Sequence, residues 1–183
     1  HPGAADAPAG TFLSARRDRY LRFERTMHMV REGQVIDAGE STVKLFPDRD
    51  EPDMIELRGG SRVTGSGIGA LRSMSARDMN LDYPDDGRTL QHATLDGTSE
   101  IVVATKDKSG SQTLAGEMMD IDLQPDGSVR NLSARDRVTV TLPATADTPA
   151  RTVRSNALAA EGNEQGLRKM TFQEGVEYRE AAA

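Results

Sequence analysis

The segment Leu132–Pro143 sets the strictest condition on how this chain can fold. It reads Leu-Ser-Ala-Arg-Asp-Arg-Val-Thr-Val-Thr-Leu-Pro, and a near-copy lies upstream at Met74–Pro84, Met-Ser-Ala-Arg-Asp-Met-Asn-Leu-Asp-Tyr-Pro. Each copy opens with an apolar residue and Ser-Ala-Arg-Asp, then alternates apolar and polar residues, and stops at a proline. Val138, Val140 and Leu142 take one side of the second copy, with Arg137, Thr139 and Thr141 on the other. In the first copy Met79, Leu81 and Tyr83 oppose Asn80 and Asp82. Alternation with period two predicts a strand with one wet and one dry face. Proline lacks the N–H that a ladder needs and ends the run.

The outline recurs in degenerate form along the chain. An apolar anchor precedes a small residue by two positions in Ile36/Ala38, Leu57/Gly59, Met74/Ala76, Leu95/Gly97, Leu114/Gly116, Leu132/Ala134 and Val153/Ser155, with Phe172/Gly175 a looser member. Successive anchors lie about 20 residues apart, a step at the short end of those that mark stacked repeats. Each step reads as one long strand plus its turn.

With 183 residues the chain has the length of one ordinary domain. It is 36% hydrophobic, 28% charged and 4% aromatic, with a mean hydropathy of -0.57. So polar a composition raises the question of disorder. The regular alternation answers it by pointing to a thin, extended sheet structure that buries one side of each strand. A net charge of -6 without a basic stripe argues against a nucleic-acid partner. The lack of cysteine excludes disulfides, thiolate metal sites and cysteine nucleophiles. No apolar run reaches the ~20 residues that cross a bilayer as a helix, so no membrane span is expected, and no basic-plus-apolar signal segment is seen.

In chain order, 1–10 reads as a flexible linker of Pro, Gly and Ala, 11–180 as one β domain, and 181–183 as a frayed tail. The stretch Thr11–Val30 fits a helix loosely. It also fits a hairpin of Phe12–Arg16 and Tyr20–Val30 around Arg17-Asp-Arg19, and the strand-like character of everything downstream favours the hairpin. Strands follow at Val35–Phe46, Met54–Thr64, Met74–Tyr83, Leu90–Leu95, Ser99–Ala104, Leu114–Leu123, Val129–Leu142, Thr152–Ala160 and Leu167–Tyr178. The turns between them are Glu32-Gly-Gln34, Pro47–Pro52, Pro84-Asp-Asp-Gly87, Lys106–Gly110 and Pro125-Asp-Gly127, built from residues that favour turns for separate reasons.

Motifs that carry chemistry are scarce. Gly65-Ser-Gly-Ile-Gly69 lacks the Gly-Lys-Ser/Thr ending of a phosphate-binding loop and reads as a plain loop. His1, His28 and His92 share no ligand spacing. The acidic pairs Asp48/Asp50 and Asp85/Asp86, with Asp126, sit in turns and lack the spacing of a calcium loop. Ser75 and Ser133 have no His nearby in sequence and read as strand residues. Asn131-Leu-Ser133 is a glycosylation tripeptide of a kind that chance often produces. No catalytic residue, metal site or cofactor is expected.

What remains is apolar. The expected inward positions are Val43, Leu45, Ile55, Leu57, Met79, Leu81, Leu95, Ile101, Met119, Ile121, Leu123, Val138, Val140, Leu142, Phe172 and Val176, with Val63, Tyr83 and Tyr178 beside them. They fit the packed core of a β-sandwich. They also fit two apolar faces that part to hold acyl chains, for which flexible Met side chains are suited.

The spacing of small residues resembles that of the OstA-like periplasmic proteins of lipopolysaccharide transport, the LptA and LptC type. The likeness is carried by Ser75-Ala76…Met79-Asn-Leu81…Asp86-Gly87…Leu95-Asp-Gly97…Ile101. It returns as Leu114-Ala-Gly-Glu…Ile121…Asp126-Gly127…Leu132-Ser-Ala134…Val138 and as Phe172-Gln-Glu-Gly175-Val176-Glu-Tyr178. It spans roughly Thr11 to Glu180, and its motifs are diffuse. The resemblance implies an elongated all-β jellyroll, a β-taco of long antiparallel strands in two facing sheets. It also implies a periplasmic location, lipid A acyl chains held between the sheets, and homologous modules joined edge to edge in outer-membrane biogenesis. It supplies no catalytic residue. The sequence departs from the family in showing neither signal peptide nor anchor. The anchored component, the soluble bridge and a piece of a larger chain therefore all stay open. A structural β-solenoid or surface interaction module with a filled core and no lipid is the alternative.

Overall fold

The computed structural model describes residues 19–31, 33–65, 71–104 and 110–182. The expected strand Phe12–Arg16 and most of the loops 65–69 and 106–110 fall outside them. Among the described residues all the regular structure is β: β1 (Tyr20–Phe23), β2 (Met27–Arg31), β3 (Gln34–Ala38), β4 (Glu40–Leu45), β5 (Pro52–Arg58), β6 (Ser61–Gly65), β7 (Leu71–Ala76), β8 (Asp78–Asp82), β9 (His92–Ala104), β10 (Ser111–Leu123), β11 (Val129–Leu142), β12 (Arg151–Asn163), β13 (Gly166–Gln173) and β14 (Glu177–Glu180). The 14 strands form one antiparallel sheet that does not close into a barrel, consistent with an elongated jellyroll or taco.

The sheet is creased into two wings. In the first wing the order is β1-β4-β5-β8, followed by the first half of β9. In the second it is β2-β3-β6-β7, followed by the last part of β9. Strands β9 to β12 run through both wings, and β12 ends against β13 in the first wing and β14 in the second. The crease, here called the spine, passes through Gly39, Gly59–Gly60, Arg77, Gly97–Thr98, Glu117, Asp136–Arg137, Asn156 and Glu174–Gly175. Opposite it, the free ends of the wings form two lips.

Two kinds of crossing alternate along the spine. Beyond the first crossing, where β1 passes to β2 through Glu24–Thr26 without a left-handed residue, strands passing from the first wing to the second cross on left-handed pairs: Gly59–Gly60, Gly97–Thr98 (φ 86° and 49°), Asp136–Arg137 (φ 62° and 55°) and Glu174–Gly175. Strands returning cross on one residue: Gly39, Arg77, Glu117 or Asn156. In β10 and β12 that residue stands opposite a two-residue bulge on the neighbouring strand, Glu117 facing Gly97–Thr98 of β9 and Asn156 facing Asp136–Arg137 of β11. Burial moves from even positions (Leu114, Gly116) to odd ones (Met119, Ile121, Leu123) across Glu117. The odd step across the single residue turns the strand over, so the dry face stays inward after the bend. The crossings also bond to one another, with Gly60 N donating to Arg77 O at 2.9 Å, Arg77 N to Gly97 O at 2.8 Å and Asn156 N to Glu174 O at 2.8 Å.

Several sequence expectations need correction here. The stretches Val35–Phe46, Met54–Thr64 and Met74–Tyr83 are each two strands in different wings, because Gly39, Gly59–Gly60 and Arg77 break them at the spine. Leu167–Tyr178 likewise divides at Glu174–Gly175 into β13 and β14, which pair with opposite halves of β12. Tyr20–Val30, expected as one strand of a hairpin with Phe12–Arg16, is two strands in different wings, β1 paired with β4 and β2 with β3, and its expected partner lies outside the described residues.

Candidate functional site

The inner faces of both wings converge on one apolar interior. From the first wing come Val43, Ile55, Leu57, Met79, Leu81, Leu95, Met119, Ile121 and Leu123, and from the second Ile101, Val138 and Val140, all buried in a single cluster. Cross-strand register explains the convergence. Ile55 stands opposite Leu81, Leu57 opposite Met79, and Met79 in turn opposite Leu95. Inward residues on adjacent strands therefore form continuous rows. Along the middle of the molecule these side chains are closed to water, and the two wings touch.

The remaining predicted positions lie at the margins. Leu45, Leu142 and Phe172 are half-buried against the cluster. Val176 is 52% exposed and Tyr178 55%, so neither is enclosed. Tyr178 pairs with inward Val153, but β14 is a terminal strand with nothing packed beyond it. The other end matches, with Tyr20 60% and Val30 68% exposed on β1 and β2. The interior also takes in residues that the repeat pattern used only as anchors, namely Ile36, Met74 and Leu114, together with Val63, Leu71 and Val103. Their signal was present, since each anchor sits two residues before a buried small residue and so shares its face.

The outer face is polar and carries a surface recess of about 430 Å³ lined by His92, Asp120, Asp122, Asn131, Ser133 and Lys169, among others. His92 on β9 is gripped from β10. Its Nδ1 lies 2.7 Å from Asp122 Oδ1 and its Nε2 2.7 Å from Asp120 Oδ1. Both ring nitrogens must donate to satisfy two carboxylates, which requires the imidazolium. Burial alone would lower the His92 pKa; its hydrogen bond to Asp122 and the charges of Asp120, Asp122 and Asp82 outweigh it and raise the value. Burial raises Asp82, with Asp53 and Asp120 adding to the rise and His92 opposing it.

The turn aspartates cap their own loops. Asp86 Oδ1 accepts from Arg88 N at 2.8 Å and Thr89 N at 2.7 Å, and Asp126 Oδ1 accepts from Ser128 N at 2.9 Å. His28 pairs with Asp37 at 2.6 Å, far from His92. Among the described residues no three His, Asp or Glu side chains are grouped to hold a metal ion, and no helix is long and apolar enough to cross a membrane. No family model, curated protein or solved structure matches the chain.

Proposed function

We propose that this chain is a periplasmic lipid-shielding module of the lipopolysaccharide-transport type. It takes acyl chains between its wings, leaves the sugars in water and acts without catalysis. The observation that carries this reading is the division of the sheet. A Met-containing apolar face runs unbroken through both wings and a polar face covers the outside, and among the described residues the strand ladders join the wings only through the spine. Each buried acyl methylene contributes roughly 0.8 kcal/mol, so a lipid with several chains needs such a shelter to cross water. Among the described residues four terminal strands, β1 and β2 at one end and β13 and β14 at the other, each pair on one side only. Unpaired edges are templates for strand addition, which suits docking to homologous modules at both ends.

The rival reading, a structural or interaction module with a permanently filled core, is favoured by one observation: the middle of the interior is closed to water. The two readings differ in whether the wings part. A photocrosslinker placed at Leu81, Ile121 or Val140 should label lipopolysaccharide under the transport reading. The same group at Asn80 or Thr139 on the outer face should not. Labelling confined to the outer positions, or none at all, would favour the filled-core module.

A further inference from the structure

Away from the spine no strand ladder joins the wings, so their lips are held by contacts of other kinds. At the far end the contact is made by backbone. Gly166, at the start of β13 in the first wing, sits so near Ala104 of the second that an added Cβ would lie 3.1 Å from the Ala104 carbonyl oxygen. At the near end it is made by side chains. Arg31 closes β2 at the lip of the second wing, and Tyr83 follows β8 at the lip of the first. The Arg31 guanidinium lies over the Tyr83 ring, 4.8 Å from its centroid. A cation at that distance from a ring face is attracted to it, more strongly when water is excluded. Tyr83 is buried.

The contact also carries a cost. Arg31 Nη1 and the Tyr83 hydroxyl are both buried and neither makes a well-formed hydrogen bond. A buried polar atom left so is penalised, and water would relieve the penalty if the lips parted. Attraction and penalty therefore oppose each other at one contact, the arrangement of a catch that can release. The left-handed non-glycine residues at the spine, Thr98, Asp136, Arg137 and Glu174, show where the sheet already bends sharply and can act as its hinge.

We propose that Arg31 and Tyr83 form the latch of the trough, and that releasing them lets the wings part near β8 and admits an acyl chain. The proposal rests on the transport reading for its purpose but not for its mechanics. The chain contains no cysteine, which gives a clean test. A single cysteine is placed at Leu81, two residues before Tyr83 on the same face, or at Leu114, buried beside the spine. Labelling by a water-soluble thiol reagent under native conditions is timed with Arg31 present and with Arg31→Gln, which keeps most of the stem and removes the cation.

Loss of the cation–ring attraction should speed labelling at Leu81→Cys about fivefold to tenfold and leave Leu114→Cys unchanged. Equal acceleration at both positions would mean general loosening, and no change at Leu81→Cys would mean no latch; either overturns the proposal. Capture of fluorescent lipopolysaccharide by the cysteine-free protein is measured in parallel. If Arg31→Gln opens the lip but no form captures lipid, the latch stands and the transport reading falls. If lipid is captured while thiol rates stay flat, the reverse holds.

Discussion

Val140 and Thr139 are neighbours on β11 that face opposite ways, and together they test which side of the sheet is the interior. Val140 is closed to water and pairs with Leu114 on β10 and Val153 on β12, both buried. Val140→Asp removes an apolar burial of about 1.5–3 kcal/mol. It also leaves a carboxyl with no polar partner on either adjoining strand, for about 1–3 kcal/mol more. The expected loss is therefore about 2.5–6 kcal/mol, a large share of the ~5–15 kcal/mol that ordinary domains possess. Thr139 pairs with Ala115 and Arg154 on the outer face, so Thr139→Asp gains a cross-strand cation and should change stability by no more than about 0.5 kcal/mol.

Equilibrium unfolding in urea, followed by circular dichroism, measures both. Its pH dependence separates the causes. A buried carboxyl without a partner has its folded pKa raised, so the penalty is full at neutral pH. It shrinks as the pH falls through that raised value and the group becomes neutral. The packing loss does not vary with pH. Equal losses for the two substitutions, or a larger one for Thr139→Asp, would show that β11 does not present Val140 to a common interior.

Two further outcomes follow from the spine and the outer face. Gly97→Ala should cost about 1–2 kcal/mol from the left-handed backbone alone. Displacing Arg77 adds to this, since its Cβ and Cζ would lie 3.0 and 2.8 Å from the new methyl; thermal unfolding checks it, and an unchanged midpoint would mean that the crossing is not held at that φ. His92, whose folded pKa is raised above 6.5, contributes stability that is full below the unfolded value and lost as pH rises through the folded one. Raising the pH from mildly acid to alkaline should then lower the melting temperature of the native protein more than that of His92→Gln. Parallel curves would show that Asp120 and Asp122 do not hold an imidazolium.

The strands were legible because alternation follows from one wet and one dry face, and Leu132–Leu142 and Met74–Tyr83 state it openly. Their relation to each other was not legible. The two Ser-Ala-Arg-Asp copies cross the spine in opposite directions: Arg77 carries the chain from the second wing to the first, and Asp136–Arg137 carries it from the first to the second. The sequence does hold the difference, as a single residue. The dry face resumes three positions after Ala76, at Met79, and four positions after Ala134, at Val138. An odd offset marks a single-residue crossing that turns the strand over, and an even one a left-handed pair, which bulges and does not.

The same reasoning explains why the ~20-residue step is only half of the true period, since a full repeat needs one crossing of each kind and hence about 40 residues. What no spacing could reveal is where the rows of inward side chains run out. Val176 and Tyr178 obey the alternation as well as Val138 and Val140 do. Val176 is exposed because it lies in the bend before β14, and Tyr178 because β14 is the last described strand, a property of position in the stack and not of local pattern. Arg31 escaped notice for the complementary reason. Alternation describes what a residue does within its own wing, whereas Arg31 acts across the gap, on a ring carried by the opposite lip.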